Sequence, residues 1–251
     1  MTSPPPELLS VVIPAYRESA RIRSSVREVL AYFDSLSIPC EVIVVDDGSD
    51  DDTPSIVSAL ASADPRVKSL RLPSHSGKGA AVRAGILSSR GDFLLLVDAD
   101  LSIPLQEYPA FAAALSRGAD FALASKQLGR RAGLVRQPLL RTLMGRIFNL
   151  AVRLLVLPGI SDSQAGFKLL RGPAARTLAP ELLTPGFAYD VELLALARSR
   201  RLSLRELPVR CLLSRQTSVR LLPDSLRMLR DLIAIRRRLG RISPREDSIN
   251  A

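Results

Sequence analysis

Two aspartates one residue apart, Asp98 and Asp100, stand where the run Phe93–Val97 ends in GDFLLLVDADLSIP. Carboxylates this close repel each other unless a cation lies between or beside them. The pair therefore suits a hard divalent ion, Mg2+ or Mn2+, shared with a phosphate substrate. The unbroken apolar run, entered through Gly91–Asp92 and left at Pro104, has the composition of a central strand in a parallel sheet covered on both faces. The acids then fall at the carboxyl end of that strand, where open α/β sheets bind their ligands. For the pair taken alone, a strand-end turn with solvated acids is the plain alternative.

The segments before it repeat one unit. Leu8–Ile13 is a β-rich run ending at Pro14, and Ser19–Leu36 carries Ile22, Val26, Val29, Leu30 and Phe33 at helical spacing. Glu41–Val45 is a second strand, followed by Asp46–Asp47–Gly48–Ser49 and a helix to about Ala63, with Asp52 or Thr53 as N-cap and Pro54 in its first turn. Val67–Leu72 is a third strand; Gly77–Lys78–Gly79 opens a helix through Leu87, and Gly91 closes it. Alternating strands and helices predict an α/β fold with a mostly parallel central sheet and right-handed crossovers. Each strand ends in something polar: Tyr16 and Glu18, Asp46 and Asp47, the Lys78 loop, then Asp98 and Asp100. Along one sheet edge these groups predict a nucleotide site, because carboxylates accept from a base or ribose and a lysine meets phosphate. Gly-Lys-Gly lacks the spacing of a Walker loop, which disfavours ATP hydrolysis.

At 251 residues the chain predicts one domain with appendages. The formal net charge of +10, mostly arginine, invites nucleic acid, an anionic membrane surface or a phosphate-rich substrate. Tryptophan is absent and aromatics make up 4%, so the basic patches lack the rings that stack on bases. Cys40 and Cys211 are far apart, in no metal-like spacing, and are expected as buried thiols. MTSPPPELL has neither the charged nor the apolar region of a signal peptide, and no uncharged apolar run is long enough to span a bilayer. The expected location is the cytoplasmic side of a membrane, held peripherally.

VVIPAYRES, VIVVDDGSDDDT, SGKGAAVRAGILSSRGDFLLLVDADLSIP, DSQAGFKLL and GFAYDVELL, in this order, resemble a family 2 glycosyltransferase with the GT-A fold. Within that family the chain is similar to the polyprenyl-phosphate sugar synthases that make dolichyl-phosphate glucose and mannose. The resemblance covers roughly Leu8–Arg220. It implies a glycosyltransferase domain over residues 1–220, after which spacing and composition predict an amphipathic helix over 221–242 and a frayed tail over 243–251. It also implies donor-nucleotide positions at Pro14, Ala15, Tyr16, Glu18, Asp46 and Lys78, and a metal and diphosphate motif at Asp98, Ala99 and Asp100. The mannose synthases commonly carry a glutamine two residues after the second aspartate. Here Ser102 takes that place and would reach the metal through water.

The stretch after Phe121–Ser125 carries Lys126, Arg130, Arg131, Arg136, Arg141 and Arg146, which as a charge run reads equally as a solvated loop. By resemblance, Lys126 and Arg141 match two arginines that bind the lipid's phosphate, with Arg130 and Arg131 beside them. Gly145 replaces a serine expected there, and Lys126 lacks an arginine's bidentate fork. Asp162 and Gln164 fall in a loop that the family places beside the sugar. Asp190 and Glu192 sit on a predicted helix, Phe187–Arg198, where the family has acids near the active site; a plain exposed helix is the alternative. Leu139–Leu157 is helical by length, with a wide apolar face that is either core or membrane. From Leu222 a last helix sets Leu222, Leu226, Met228, Leu229, Leu232, Ile233 and Leu239 on one side and arginines on another, with Arg236 intruding. Such a helix suits a membrane interface or packs on the core.

What the resemblance implies is an inverting transfer from a nucleotide sugar, UDP-glucose before GDP-mannose, to a polyprenyl phosphate. Two alternatives remain at this point. A soluble or protein hydroxyl acceptor would need a carboxylate base, with Asp190 or Glu192 as candidates. A basic nucleic-acid-binding module is the non-enzymatic reading, against which stand the acidic strand ends and the lack of any nucleic-acid motif.

Overall fold

A computed structural model of the chain describes residues 8–135, 149–212 and 221–240, without the side chains of 221–226. Its frame follows from runs that are mostly apolar on both faces, with Ser10 and Glu41 the polar residues buried near the starts of the first two. Leu9–Ala15 (β1), Cys40–Asp46 (β2) and Phe93–Val97 (β4) are buried along nearly their whole length. Val67–Arg71 (β3) lies at the sheet edge and is half exposed. With Phe121–Ser125 (β5), Phe167–Arg171 (β6) and Leu204–Pro208 (β7) they form one seven-stranded sheet in the order β3-β2-β1-β4-β6-β5-β7. β1 to β4 run parallel, β6 is antiparallel to both β4 and β5, and β7 is parallel to β5.

The two-residue period of a strand divides these side chains between two cores. Val11 and Ile13 of β1 face the helices Ile22–Ser35 (α1), Thr53–Ala63 (α2) and Tyr108–Ser116 (α4). Val12, between them, faces the other layer. That layer consists of Lys78–Ser88 (α3), the helix described over 149–155 (α6), Gly172–Leu178 (α7), Tyr189–Ser199 (α8) and Leu221–Leu239 (α9). Lys126–Arg131 (α5) leaves the end of β5 directly. Phe33 and Phe111 are fully enclosed in the first core, where truncation of either to alanine costs about 3–5 kcal/mol.

Several expectations change. The segment read as a loop beside the sugar continues into β6, which fills the gap between β4 and β5 in reverse direction. β7 had no sequence expectation, because two adjacent charged residues, Arg205 and Glu206, sit in a short half-exposed strand. Asp52 at the α2 cap makes no side-chain cap bond; Asp51 instead accepts from Thr53 N at 3.0 Å and Ser19 N at 3.2 Å. α3 ends at Ser88, before Gly91. Cys40 is buried as expected, but Cys211 is only half-buried. On α9 the core-facing side chains are Met228, Leu232 and Ile235, while Leu229 and Ile233 are exposed. α9 packs on α8, and Arg236 donates to Leu155 O at 3.1 Å rather than lying in an apolar face. The expected sites Leu222 and Leu226 and most of Leu139–Leu157 lie outside the described side chains.

Candidate active site

Parallel strands end on the same edge, so the polar residues after β1, β2 and β4 converge without further design. Pro14 and Ala15 close β1 opposite Val45 and Asp46 of β2. Tyr16 follows, and its ring stacks on His75 with centroids 3.8 Å apart and planes 21° from parallel. His75 is also held by Asp47, whose Oδ2 lies 2.8 Å from Nδ1. Asp47 further accepts from Ser76 N and Gly77 N, each at 2.8 Å. Asp46 is buried, accepts from Ser49 N at 3.2 Å and pairs with Arg71 Nε at 3.2 Å. Glu18 lies 2.8 Å from Arg21 Nε. Burial pushes its carboxyl above the usual range against the pull of Arg21, and Asp100 and Asp98 add repulsion. Three carboxylates thus feel one another at this edge.

Lys78, the first residue of α3, places Nζ 2.5 Å from Asp98 Oδ1. Burial works against both charges. For Asp98 the attraction of Lys78, with Lys126 and Lys168 beyond it, outweighs burial and holds the carboxyl below its ordinary range. For Lys78 the pull of Asp98 raises the ammonium. Gly166 is required beside this pair: a Cβ there would sit 1.9 Å from Asp98 Oδ2. Asp98 N also donates to Gly166 O at 3.1 Å. The chain then turns through Leu101, at φ 43°, and Asp100 Oδ1 accepts from Ser102 N at 3.0 Å. Ala99 is held through its carbonyl, which accepts from Ser25 Oγ of α1 at 2.6 Å. Ser102 is buried, and its carbonyl accepts from Leu212 N.

The residues present fit a hard divalent ion. Asp98 and Asp100 supply carboxylate oxygens at one strand end, where Asp98 gives one oxygen to Lys78 and Asp100 one to the turn. Among the described residues no group of three His, Cys, Asp or Glu could close a metal cage. A site with one or two carboxylates, completed by phosphate oxygens and water, is how Mg2+ is commonly bound.

The acceptor-side candidates are built differently. Ser125 at the end of β5 caps α5 by accepting from Leu128 N at 3.2 Å. Lys126 N donates to Asp162 Oδ2 at 2.9 Å. Glu206 of β7 in turn fixes Asp162, accepting from Ser161 N, Ser161 Oγ and Asp162 N, each at 2.8 Å. Gln164 N donates to Asp162 Oδ1 at 3.2 Å, and its amide points to Phe187 O. The Lys126 charge is among those that hold Asp98 ionised, so it shares the field of the acidic strand end. Arg130 and Arg131 follow in the last turn of α5. Arg136, Arg141, Gly145 and Arg146 lie outside the described residues.

Asp190 and Glu192 are neither on an exposed helix nor facing open solvent. Both are buried at the start of α8. Asp190 Oδ1 is 2.6 Å from Lys168 Nζ, a close ion pair off the axis of a good hydrogen bond. Burial raises the Asp190 carboxyl despite Lys168. Glu192 accepts from Leu183 N and Thr184 N and pairs with Arg238 of α9. Lys168 and Glu206 are not among the candidates read from the sequence, and Asp47 is there only as one of the polar strand ends. Asp47 had a signal in the doubled aspartate of VVDDGS, and Lys168 in GFKLL; Glu206 had none.

Glycosyl transferase family 2 matches the chain over residues 10–178. A dolichyl-phosphate beta-glucosyltransferase of Trichomonas vaginalis is 36% identical over 82% of this chain and 64% of its own length. The Dictyostelium discoideum protein of that description is 31% identical over 91% of this chain and 73% of its own length. The human one is 32% identical over 82% and 67%. The chain therefore spans 64–73% of the length of these relatives. Among solved structures, glucosyl-3-phosphoglycerate synthase from Mycobacterium tuberculosis with Mn2+ and UDP-glucose aligns with a TM-score of 0.60 at 24% identity, covering 96% of this chain and 81% of that one. Mannosyl-3-phosphoglycerate synthase from Rubrobacter xylanophilus aligns at 0.66 and 17% identity, covering 93% and 74%. At these identities the likeness carries the fold alone, and that fold is GT-A. The sheet order, the acidic end of β4 and the match over more than half of the sequence agree: this chain belongs to glycosyl transferase family 2.

Proposed function

We propose that this chain is an inverting glycosyltransferase that moves glucose from UDP-glucose to a polyprenyl phosphate of dolichyl type, with GDP-mannose the second candidate donor. The observation that carries this reading is the state of Asp190 and Glu192. Both carboxylates that could serve as a base are engaged in buried ion pairs, so the acceptor should bring its own nucleophile. A lipid monophosphate does so, because with a second pKa of about 6 it is mostly a dianion at neutral pH.

In this scheme Tyr16, Asp46 and Glu18 bind the nucleoside, and Asp98 and Asp100 face the diphosphate. A bound Mg2+ or Mn2+ supplies charge neutralisation for the leaving diphosphate. Lys78 keeps Asp98 ionised and oriented. Lys126 and Arg141 hold the acceptor phosphate, with Arg130 and Arg131 nearby, and orient it against the anomeric carbon. Transfer in one displacement inverts that carbon. The names of the relatives in three organisms favour glucose.

The same reading places the chain peripherally on the cytoplasmic face of an anionic membrane. No helix among the described residues is long and apolar enough to cross one. Exposed Leu229 and Ile233 of α9 and Leu150 and Leu154 of α6, with the α9 arginines, offer an apolar and cationic surface for it. The test is a panel of UDP and GDP sugars, each with polyprenyl phosphate and with soluble hydroxyl acceptors. UDP-glucose with polyprenyl phosphate should turn over fastest. Preference for GDP-mannose would overturn the donor, and faster transfer to a free hydroxyl would overturn the base-free mechanism.

A further inference from the structure

The segment 182–188, between α7 and α8, contains no candidate from the sequence reading, yet it is gripped from both sides. On one side Glu192 Oε2 accepts from Leu183 N at 3.1 Å and Thr184 N at 2.6 Å. The other oxygen of the same carboxylate receives Nη2 of Arg238, from the last turn of α9. On the opposite side Pro185 O accepts from Gly79 N at 2.7 Å and Ala80 N at 3.2 Å, two amides in the first turn of α3. The contact leaves no room for a side chain. A Cβ at Gly77, whose φ is +106°, would lie 2.5 Å from Pro185 O, and one at Gly79 would lie 2.3 Å from Thr184 O. Lys78 stands between these glycines and reaches Asp98 at 2.5 Å.

A continuous set of bonds therefore runs from α9 to the acidic strand end: Arg238 to Glu192, Glu192 to the 183–184 backbone, Pro185 to the first turn of α3, and Lys78 to Asp98. Glu192 is buried, and a buried carboxylate that loses its cation keeps its charge at high cost unless it moves or takes a proton. Either response loosens its hold on Leu183 and Thr184. Because Pro185 O fills the space over Gly77 and Thr184 O that over Gly79, a displaced loop uncovers the turn that aims Lys78.

We propose that Glu192 is a positioning residue of the donor site and Arg238 its latch: together they seat the 182–188 segment on the first turn of α3 and so set Lys78 on Asp98. This rests on the reading of the Lys78–Asp98 end as the donor site. Glu192 touches no substrate in this account. The helix with the amphipathic face is thereby tied to the donor end of the sheet.

The test uses the full chain and two readouts, one independent of catalysis. In Arg238→Met, amide hydrogen exchange at Leu183, Thr184, Gly79 and Ala80 should accelerate on the order of tenfold, with β1 and α1 unchanged. The KM for the nucleotide sugar should rise by a similar factor while the acceptor KM holds. Arg238→Lys, which keeps the charge, should recover most of both effects and covers the case in which the methionine variant folds poorly. Unchanged exchange at these four amides, an equal rise throughout the domain, or a shift in acceptor KM alone would each overturn the latch. A wild-type protein that transferred no sugar would remove the functional reading and leave the exchange result to decide the latch.

Discussion

The two ends of the active edge are assembled by different means. On the donor end, β1, β2 and β4 run parallel, and topology alone brings Tyr16, Asp46, Asp47 and Asp98 together. On the acceptor end, nothing converges by default. Lys126 is placed through Asp162, Asp162 through Glu206, and the intervening sheet position is taken by the reversed strand β6. The groups that strand order alone brings together should tolerate change in their surroundings, whereas Lys126, placed through a chain of single bonds, and Lys78, seated through the 182–188 segment, should fail one bond at a time.

The largest effect should come from the donor end. Asp100→Ala should cut turnover by at least about a hundredfold, and excess chelator should do the same to the wild type, while thermal unfolding of the variant stays near that of the parent. Full activity in chelator would remove the metal from the comparison. Next comes the seam between the two ends, where Lys168 of β6 reaches across to Asp190. Lys168→Met leaves a buried carboxylate unpaired and should destabilise the domain by about 3–5 kcal/mol in denaturant titration. Adding Asp190→Leu should recover much of that loss. If the double variant is no more stable than the single, the pair is not what the seam depends on.

On the acceptor side, Arg141→Ala should lower catalytic efficiency about ten- to a hundredfold through the polyprenyl phosphate, with nucleotide binding unchanged. Weaker nucleotide binding with normal acceptor affinity would move that residue to the donor end. The smallest effect concerns pH. Burial alone would raise the Asp51 carboxyl, but the groups of Thr53 and Ser19 that bond to it bring it down to about 2. A carboxyl depressed in the folded state stabilises it above the unfolded pKa of about 4 and loses that contribution as pH falls toward 2. Asp51→Asn should flatten this part of the stability curve; an unchanged slope would show that other carboxylates set it.

The same contrast explains what could be read from the sequence. β4 and β5 are short apolar runs, and β1 and β2 carry a polar residue, Ser10 or Glu41, only near the start of an apolar stretch, so their existence and their polar ends were legible. β6 was not, because Lys168 interrupts FKLLR with a charge whose carboxylate partner, Asp190, lies on another element. β7 reads as LRELP, an edge strand with two charges, and the purpose of Glu206 appears only once Ser161 and Asp162 are folded against it. Glu192 and Arg238 are 46 residues apart, and no local pattern joins them. Helix periodicity gave α9 but not its orientation: Ile235 took a core place, while Leu229 and Ile233 were left outside.

The central claim is that the acceptor phosphate itself is the nucleophile. The most direct measurement is the pH dependence of transfer from UDP-α-glucose to polyprenyl phosphate, with the anomeric linkage of the product read by NMR. The account predicts a β-linked glucosyl phosphate and a rate that falls below a pH of about 6, following protonation of the acceptor, unchanged in Asp190→Asn protein that remains folded. An α-linked product, or a rate profile that shifts with Asp190 instead of with the acceptor, would contradict it.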